Sequence, residues 1–349
     1  MASEIKALVA EKAGTTLSPL TISRRELMPD DVQFDVLYCG ICHSDLHQMQ
    51  NDFGMSQYPM VPGHEIVGKV TAIGSDVTKF KVGDLAAVGC IVDSCGSCAS
   101  CDGKLEQFCE QDVTFSFNSA DKYSGGQTFG GFSKSYVCKE AYTLKMPESL
   151  DLAAAAPLLC AGITVYSPLR HWNAGKGKKV GVVGLGGLGH MAIKMAKAMG
   201  AEVIVFTTSQ NKAADAKRLG AHDAVVSTDK VKMAEYASKV DLIIDTVSAK
   251  HDVNEYLNLL AIDGSVVLVG LPPEPLEIGA FNIVMGRRSF SGSNIGGIAE
   301  TQEMLGFCDK HNITADIELI KASEVNQAFE RLAKGDVKYR FVIDMSTLS

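Results

Sequence analysis

Apolar and polar positions follow two different rhythms along the chain. Residues 1–154 carry short apolar runs broken by turn residues, among them EIVGKVTAIG (65–74) and FSKSYVCKEAYTLKM (132–146). Such runs predict strands joined by turns. From about residue 155 the rhythm changes. Val180–Val183 predicts a short strand, Gly184 to Gly189 a turn, and Met191, Ile193, Met195, Ala196 and Met199 the apolar face of a helix that stops at Gly200. Val203–Phe206, Asp241–Thr246 and Ser265–Gly270 read as further strands, with helical stretches at Met233–Lys239 and Val253–Leu260. Repeated β–α alternation predicts a parallel, doubly wound sheet over residues 155–290. The strand-like tail Lys338–Met345 is expected to return to the first part, so that 1–154 and 291–349 form one domain.

Composition narrows the function classes. The 349 residues are 46% hydrophobic and 21% charged, an ordinary globular balance. The net charge of 33 − 41 = −8 argues against a nucleic-acid partner or an anionic membrane, both of which call for a basic surface. The opening MASEIKALVAEKAG has no basic segment followed by an apolar run. Leu152–Leu169 is free of charge, but Pro157, Gly162, Thr164, Ser167 and Pro168 would break a spanning helix, so it reads as a buried crossing between domains. The expected compartment is the cytosol.

In that compartment ten cysteines are expected to stay reduced, which points to metal before disulfides. Cys95-x2-Cys98-x2-Cys101-x7-Cys109 lies on one Gly- and Ser-rich loop, and four thiolates turned to one centre suit a structural zinc. An iron–sulfur cluster also takes four thiolates, and the spacing leaves it open. A second set is scattered: Cys42, His64 and Cys160. Two thiolates and an imidazole leave a fourth position on zinc free, as catalysis needs. Each residue alone reads equally as a buried small hydrophobe or a structural histidine.

Gly184, Gly186 and Gly189 form G-x-G-x-x-G between two strands, and with Gly187 and Leu188 they are expected to bring backbone N–H groups against a pyrophosphate. The second strand ends in Thr207-Thr208-Ser209, with Lys212 following and Asp215, the nearest acid downstream, lying beyond the turn. Hydroxyls and an ammonium suit a ribose 2′-phosphate, which a carboxylate would repel, so NADP(H) is expected over NAD(H). A Thr/Ser-rich turn also suits capping of the next helix.

With GICHSDLH (40–47), YPMVPGHEIVG (58–68), the four-cysteine loop, PLLCAGITVYSPLR (157–170), VGVVGLGGLGH (180–190), FTTS (206–209), IGGIAETQEML (295–305) and YRFVID (339–344), the chain resembles zinc-dependent medium-chain alcohol dehydrogenases. It is most similar to their cinnamyl alcohol dehydrogenase-like branch of NADP(H) aldehyde reductases, over nearly its full length. The resemblance implies an α/β fold with a GroES-like β-rich catalytic domain and a Rossmann domain. It implies two zincs per chain, one on Cys42, His64 and Cys160 with Glu65 close by, the other on Cys95, Cys98, Cys101 and Cys109. Asp45 would orient His64, Ser44 and His47 would relay a proton, and His43, Thr164 and Arg340 would contact the cofactor. The family also implies a homodimer joined through edge strands around Ile283–Phe290.

The implied activity is hydride transfer between NADPH and an aldehyde. Other readings are an NAD-dependent alcohol or polyol dehydrogenase of the same superfamily, and a non-catalytic nucleotide-binding protein. The second would be marked by a lost ligand or relay residue, and none is missing. Pocket residues depart from the plant lignin enzymes, which place a tryptophan soon after the last lobe cysteine. Here that stretch reads Asp112-Val-Thr-Phe115, the single tryptophan is Trp172, and Asn294 stands where those enzymes often have an aromatic ring. Cys90, Ile91, Phe115, Asn294 and Ile295 are the expected lining, and a broad range of aromatic and aliphatic aldehydes the expected substrates.

Overall fold

The computed structural model describes residues 3–349. Two compact units emerge, Met1–Cys160 with Gly296–Ser349, and Ala161–Ile295.

In the first unit a seven-stranded, mostly antiparallel sheet runs in the order Ile317–Lys321, Arg340–Asp344, Asp31–Ile41, Ile66–Ile73, Leu85–Val88, Leu144–Lys145, and Ser135–Lys139 also pairs with Asp31–Ile41. Asp31–Ile41 is its axis. Val32, Phe34 and Val36 are buried at every second position, as a strand pleat requires. The tail comes back to it, with Phe341 opposite Ile41 and Asp344 opposite Tyr38. The run 132–146 is two short strands, not one: a turn at Glu140–Tyr142 divides it, closed by Thr143 donating its hydroxyl to the Lys139 carbonyl at 2.9 Å.

The second unit holds a six-stranded parallel sheet in the order Asp223–Val226, Glu202–Thr207, Lys179–Val183, Val240–Asp245, Leu260–Leu268, Ser289–Gly292. This is the doubly wound order, with the crevice for a ligand at the carboxyl ends of the strands. Its central strands are buried on both faces, which is why Val180–Val183 and Val203–Phe206 are continuous apolar runs without alternation.

Three expected elements moved. The helix placed at Met233–Lys239 is Lys230–Glu235, because Asp229 caps it by accepting the Lys232 N–H at 3.1 Å. The helix from Val253 ends at Leu257, and Leu260 already pairs with Val240 in the sheet. The edge strand placed at Ile283–Phe290 is Ser289–Gly292; the residues before it form a helix, Ala280–Val284, which packs Ile283 on the core and leaves Phe281, Val284 and Met285 exposed. Leu152–Leu169 folds as short helical pieces, Leu152–Ala155, Ala156–Leu159 and the start of Ala161–His171, buried along most of their length. Among the described residues no single helix is long and apolar enough to cross a membrane.

Candidate metal centres and dinucleotide turn

The strand Asp31–Ile41 delivers Cys42 in extended backbone (φ −116°, ψ 159°) to the start of the helix His43–Gln50. His64 and Glu65 arrive from the loop before Ile66–Ile73, and Cys160 follows the turn Ala156–Leu159. The Sγ atoms of Cys42 and Cys160 stand 3.9 Å apart as free thiols, and ligand atoms of Cys42, His64, Glu65 and Cys160 all lie within 4.8 Å of one another. One carboxylate ties two of the segments together. Asp45, fully buried, accepts the Cys42 N–H at 2.8 Å on Oδ2, while Oδ1 accepts the Gly63 N–H at 2.9 Å and faces His64 Nδ1 at 3.1 Å. With Nδ1 donating to Asp45, Nε2 keeps its lone pair for a metal.

Glu65 is fully buried against Arg340, yet its Oε2 has no hydrogen-bond partner among the described residues. Gly40 makes the room it needs, since a β-carbon there would overlap that carboxylate. Phe117 lies over the His64 ring, centroids 5.8 Å apart and planes at 21°. Nothing in the sequence separated Phe117 from an ordinary core phenylalanine. The Cys160 hydrogen bond draws Cys42 well below the usual thiol pKa, and the same bond holds Cys160 well above it. A tetrahedral zinc with Zn–S arms of ~2.3 Å has edges of about 3.8 Å. The sulfur separation, the free imidazole nitrogen and the unpartnered carboxylate oxygen therefore fit one zinc with an adjustable fourth position.

The cysteine loop meets the same measure. Cys95 and Cys101 are 3.9 Å apart, as are Cys98 and Cys109, and all four Sγ atoms lie within 4.8 Å. Cys109 accepts the Cys95 N–H and Cys98 the Glu110 N–H, each at 3.4 Å; chiefly by that bond Cys109 is lowered to about 6. Four thiolates this close suit a single ion. In an iron–sulfur cluster the four cysteines are divided among two or four irons, which keeps some of their sulfurs farther apart than the 4.8 Å that encloses all four here, so the iron–sulfur reading does not fit.

Ser44 is exposed on the first turn of its helix, with Oγ 3.7 Å from Cys42 Sγ. His47 follows three residues on, its side chain 37% exposed and Nδ1 2.7 Å from Asp52 Oδ2. His43 is exposed, its ring 6.3 Å from that of His47. Arg340, expected at the cofactor, is 4% exposed with its guanidinium on Glu65. Of the expected lining, Cys90 is half-buried with Sγ 4.0 Å from the carbonyl of Leu159, the residue before Cys160. Ile91 is buried and pairs with the exposed Phe115. Asn294 and Ile295 belong to the other unit, where Asn294 is exposed and Ile295 has a φ of 36°, rare for a β-branched residue.

In that second unit Gly184 has a φ of 87° and Gly186 is the N-cap of the helix Gly187–Ala198, whose first turn contains Leu188 and Gly189. A β-carbon on Gly189 would overlap the Gly184 carbonyl, and one on Gly184 would lie 2.8 Å from Thr246 Oγ1. The backbone therefore folds tightly there, with the N–H groups of a twelve-residue helix opening at the carboxyl end of the sheet. Thr207 is buried at its strand end, while Thr208 and Lys212 are exposed. Ser209 is the N-cap of Gln210–Leu219 without a side-chain capping bond, and that helix has no acid in its first turn. Thr164 is buried in the helix Ala161–His171.

Residues 28–148 match the alcohol dehydrogenase GroES-like domain, and residues 187–310 the zinc-binding dehydrogenase domain. The chain is 52% identical over 348 residues to the aldehyde reductase YahK of Escherichia coli (strain K12), covering 99% of each protein. The cinnamyl alcohol dehydrogenase SbCAD4 of Sorghum bicolor has a TM-score of 0.95 to it at 47% identity, over 99% of this chain and 98% of that one. A cinnamyl alcohol dehydrogenase (CAD) of Helicobacter pylori, solved in complex with NADP(H), has a TM-score of 0.92 at 41% identity, over 99% of both.

Proposed function

We propose a residue-level mechanism from the premise that the chain belongs to the zinc-dependent medium-chain alcohol dehydrogenases, in their cinnamyl alcohol dehydrogenase-like branch. It is an NADP(H) alcohol dehydrogenase, or aldehyde reductase, acting by hydride transfer between the nicotinamide and a carbonyl carbon. We assign the metal chemistry to the unit Met1–Cys160 with Gly296–Ser349 and the dinucleotide to Ala161–Ile295.

Cys42, His64 and Cys160 hold the catalytic zinc, with Glu65 in reserve; Cys95, Cys98, Cys101 and Cys109 hold the structural one. A zinc ion at the first site supplies Lewis-acid polarisation of a carbonyl oxygen. Asp45 fixes the His64 ring and the Cys42 backbone, so the donors need no rearrangement when substrate arrives. Ser44, beside Cys42 at the exposed end of its helix, holds a proton for the substrate oxygen. His47, held by Asp52 and part open to water, returns that proton from solvent. Gly184, Gly186, Gly187, Leu188 and Gly189 bind pyrophosphate, and Thr207, Thr208, Ser209 and Lys212 receive the 2′-phosphate.

The observation that carries this reading is the meeting of two thiols 118 residues apart in sequence at 3.9 Å, beside a histidine oriented by a buried aspartate. We further assign broad aldehyde specificity, a cytosolic location and a homodimer. For the dimer, the edge strand Ser289–Gly292 pairs, among the described residues, only with Leu260–Leu268, and exposed Phe281, Val284 and Met285 precede it; sedimentation of the purified chain should give twice the chain mass. The test of the chemistry is a panel of benzaldehyde, cinnamaldehyde, butanal and methylglyoxal with NADPH, run on wild type and Cys42→Ala. Wild type should carry two zincs and reduce several of them. Cys42→Ala should lose turnover by orders of magnitude while NADPH still binds, and near-normal kcat in that variant would overturn the ligand assignment.

A further inference from the structure

His251 sits in the second unit with an acceptor on each ring nitrogen. Nε2 is 2.7 Å from Asp245 Oδ2 and Nδ1 is 2.9 Å from the Ala249 carbonyl. A neutral imidazole donates from one nitrogen only, so both contacts are hydrogen bonds only in the doubly protonated ring. Asp245 is fully buried at the carboxyl end of the strand Val240–Asp245, and its other oxygen accepts the Val247 N–H at 3.1 Å. The pair thus closes the span 245–251 into a loop fixed at both ends.

That loop lies under the glycine turn. Thr246 donates its hydroxyl to the Val183 carbonyl at 2.7 Å. A β-carbon on Gly184 would lie 2.8 Å from Thr246 Oγ1 and 3.2 Å from Val247 Cγ2, and one on Gly270 would overlap the Val247 carbonyl. Residues 246 and 247 are therefore wedged between the turn that receives the pyrophosphate and the end of the neighbouring strand. We propose that doubly protonated His251 is a positioning residue: it holds the span 245–251 closed, keeps Thr246 and Val247 against Gly184, and makes NADP(H) affinity depend on its proton. This rests on the dinucleotide reading of the glycine turn.

Few other charges face the ring. Asp252 adds a second negative charge but spends its carboxylate capping the helix Val253–Leu257, at 2.9 Å from the Asn254 N–H. Tyr256 of that helix lies 6.1 Å away, ring to ring. Lys250 turns to Glu274 at 2.6 Å, and Glu255 pairs with Lys230. The Asp245 hydrogen bond is the main influence on the ring and raises its pKa above the usual histidine value.

The test is NADPH binding by fluorescence from pH 6 to 9 for wild type and His251→Gln, with hydrogen exchange of residues 246–252 in both. Glutamine can keep a donor toward Asp245 but has no proton to lose in this range. At pH 6 the variant should bind about tenfold more weakly, and the two curves should converge by pH 9 as wild type loses its proton. Parallel curves, or equal Kd at pH 6, would overturn the proposal even though NADPH binds. Should wild type bind no NADPH, the cofactor reading fails instead, and the clamp stands or falls on whether exchange in 246–252 is faster in His251→Gln at pH 6.

Discussion

Gly40 and Glu65 compete for one volume: a β-carbon at residue 40 would overlap the buried Glu65 carboxylate, which is backed by Arg340. The glycine is there for the acid. Gly40→Ala should displace Glu65 or bend the central strand, costing about 1–3 kcal/mol. Thermal melting of the metal-loaded protein reads the loss, and an unchanged melting temperature would show that the acid has space to spare.

Asp45→Asn keeps the side-chain shape but removes the negative charge that fixes the His64 tautomer and accepts the Cys42 and Gly63 N–H groups. Zinc affinity at the catalytic site, or activity, should fall by about 10–100-fold. Chelator competition with metal counting should show one zinc leaving early while the zinc assigned to the four-cysteine loop stays. Simultaneous loss of both would point to general unfolding.

Ser209→Asp places a carboxylate at the N-cap to which we assign the 2′-phosphate, on a helix with no acid in its first turn. Like-charge repulsion should lower kcat/KM with NADPH by on the order of tenfold or more, with little loss for NADH. The ratio of the two specificity constants measures it, and a ratio matching wild type would move the phosphate site elsewhere.

The His251–Asp245 pair also sets a pH dependence of stability. The folded protein binds the His251 proton more tightly than the unfolded chain does, because of Asp245. Its stabilisation is whole below the ordinary histidine value of about 6.5 and is lost as pH rises through the raised one. Wild type should exceed His251→Gln by on the order of 1 kcal/mol at pH 6, and the gap should close toward pH 9. Denaturant titrations at both pH values decide it; a gap that widens with pH would mean that the neutral ring, not the charged one, stabilises the fold.

Signals that lie close together in the chain are legible from residue order alone. The Val180–Val183 run, the glycine turn and the apolar face from Met191 to Met199 define strand, turn and helix, because backbone freedom and side-chain period act over a few residues. The two-residue gaps of the cysteine loop likewise announce a metal, although choosing one ion over a cluster took the closeness of all four sulfurs, within 4.8 Å of one another. Element ends are less legible: the family resemblance places an edge strand from about Ile283, and only the packing of Ile283 against the core shows the helix Ala280–Val284.

What the sequence determined by itself was the β–α alternation of the second unit, the four-cysteine loop and the glycine turn, all written in residue type and short spacing; the scattered Cys42, His64 and Cys160 came together on paper only through the family resemblance. Tertiary structure alone decided that Gly40 yields to Glu65, that Phe117 covers the His64 ring and that His251 closes on Asp245. The reason is physical. Each of these contacts depends on where a side chain points once the backbone has folded, and on which neighbours leave it room, and no local pattern of apolar and polar residues encodes that.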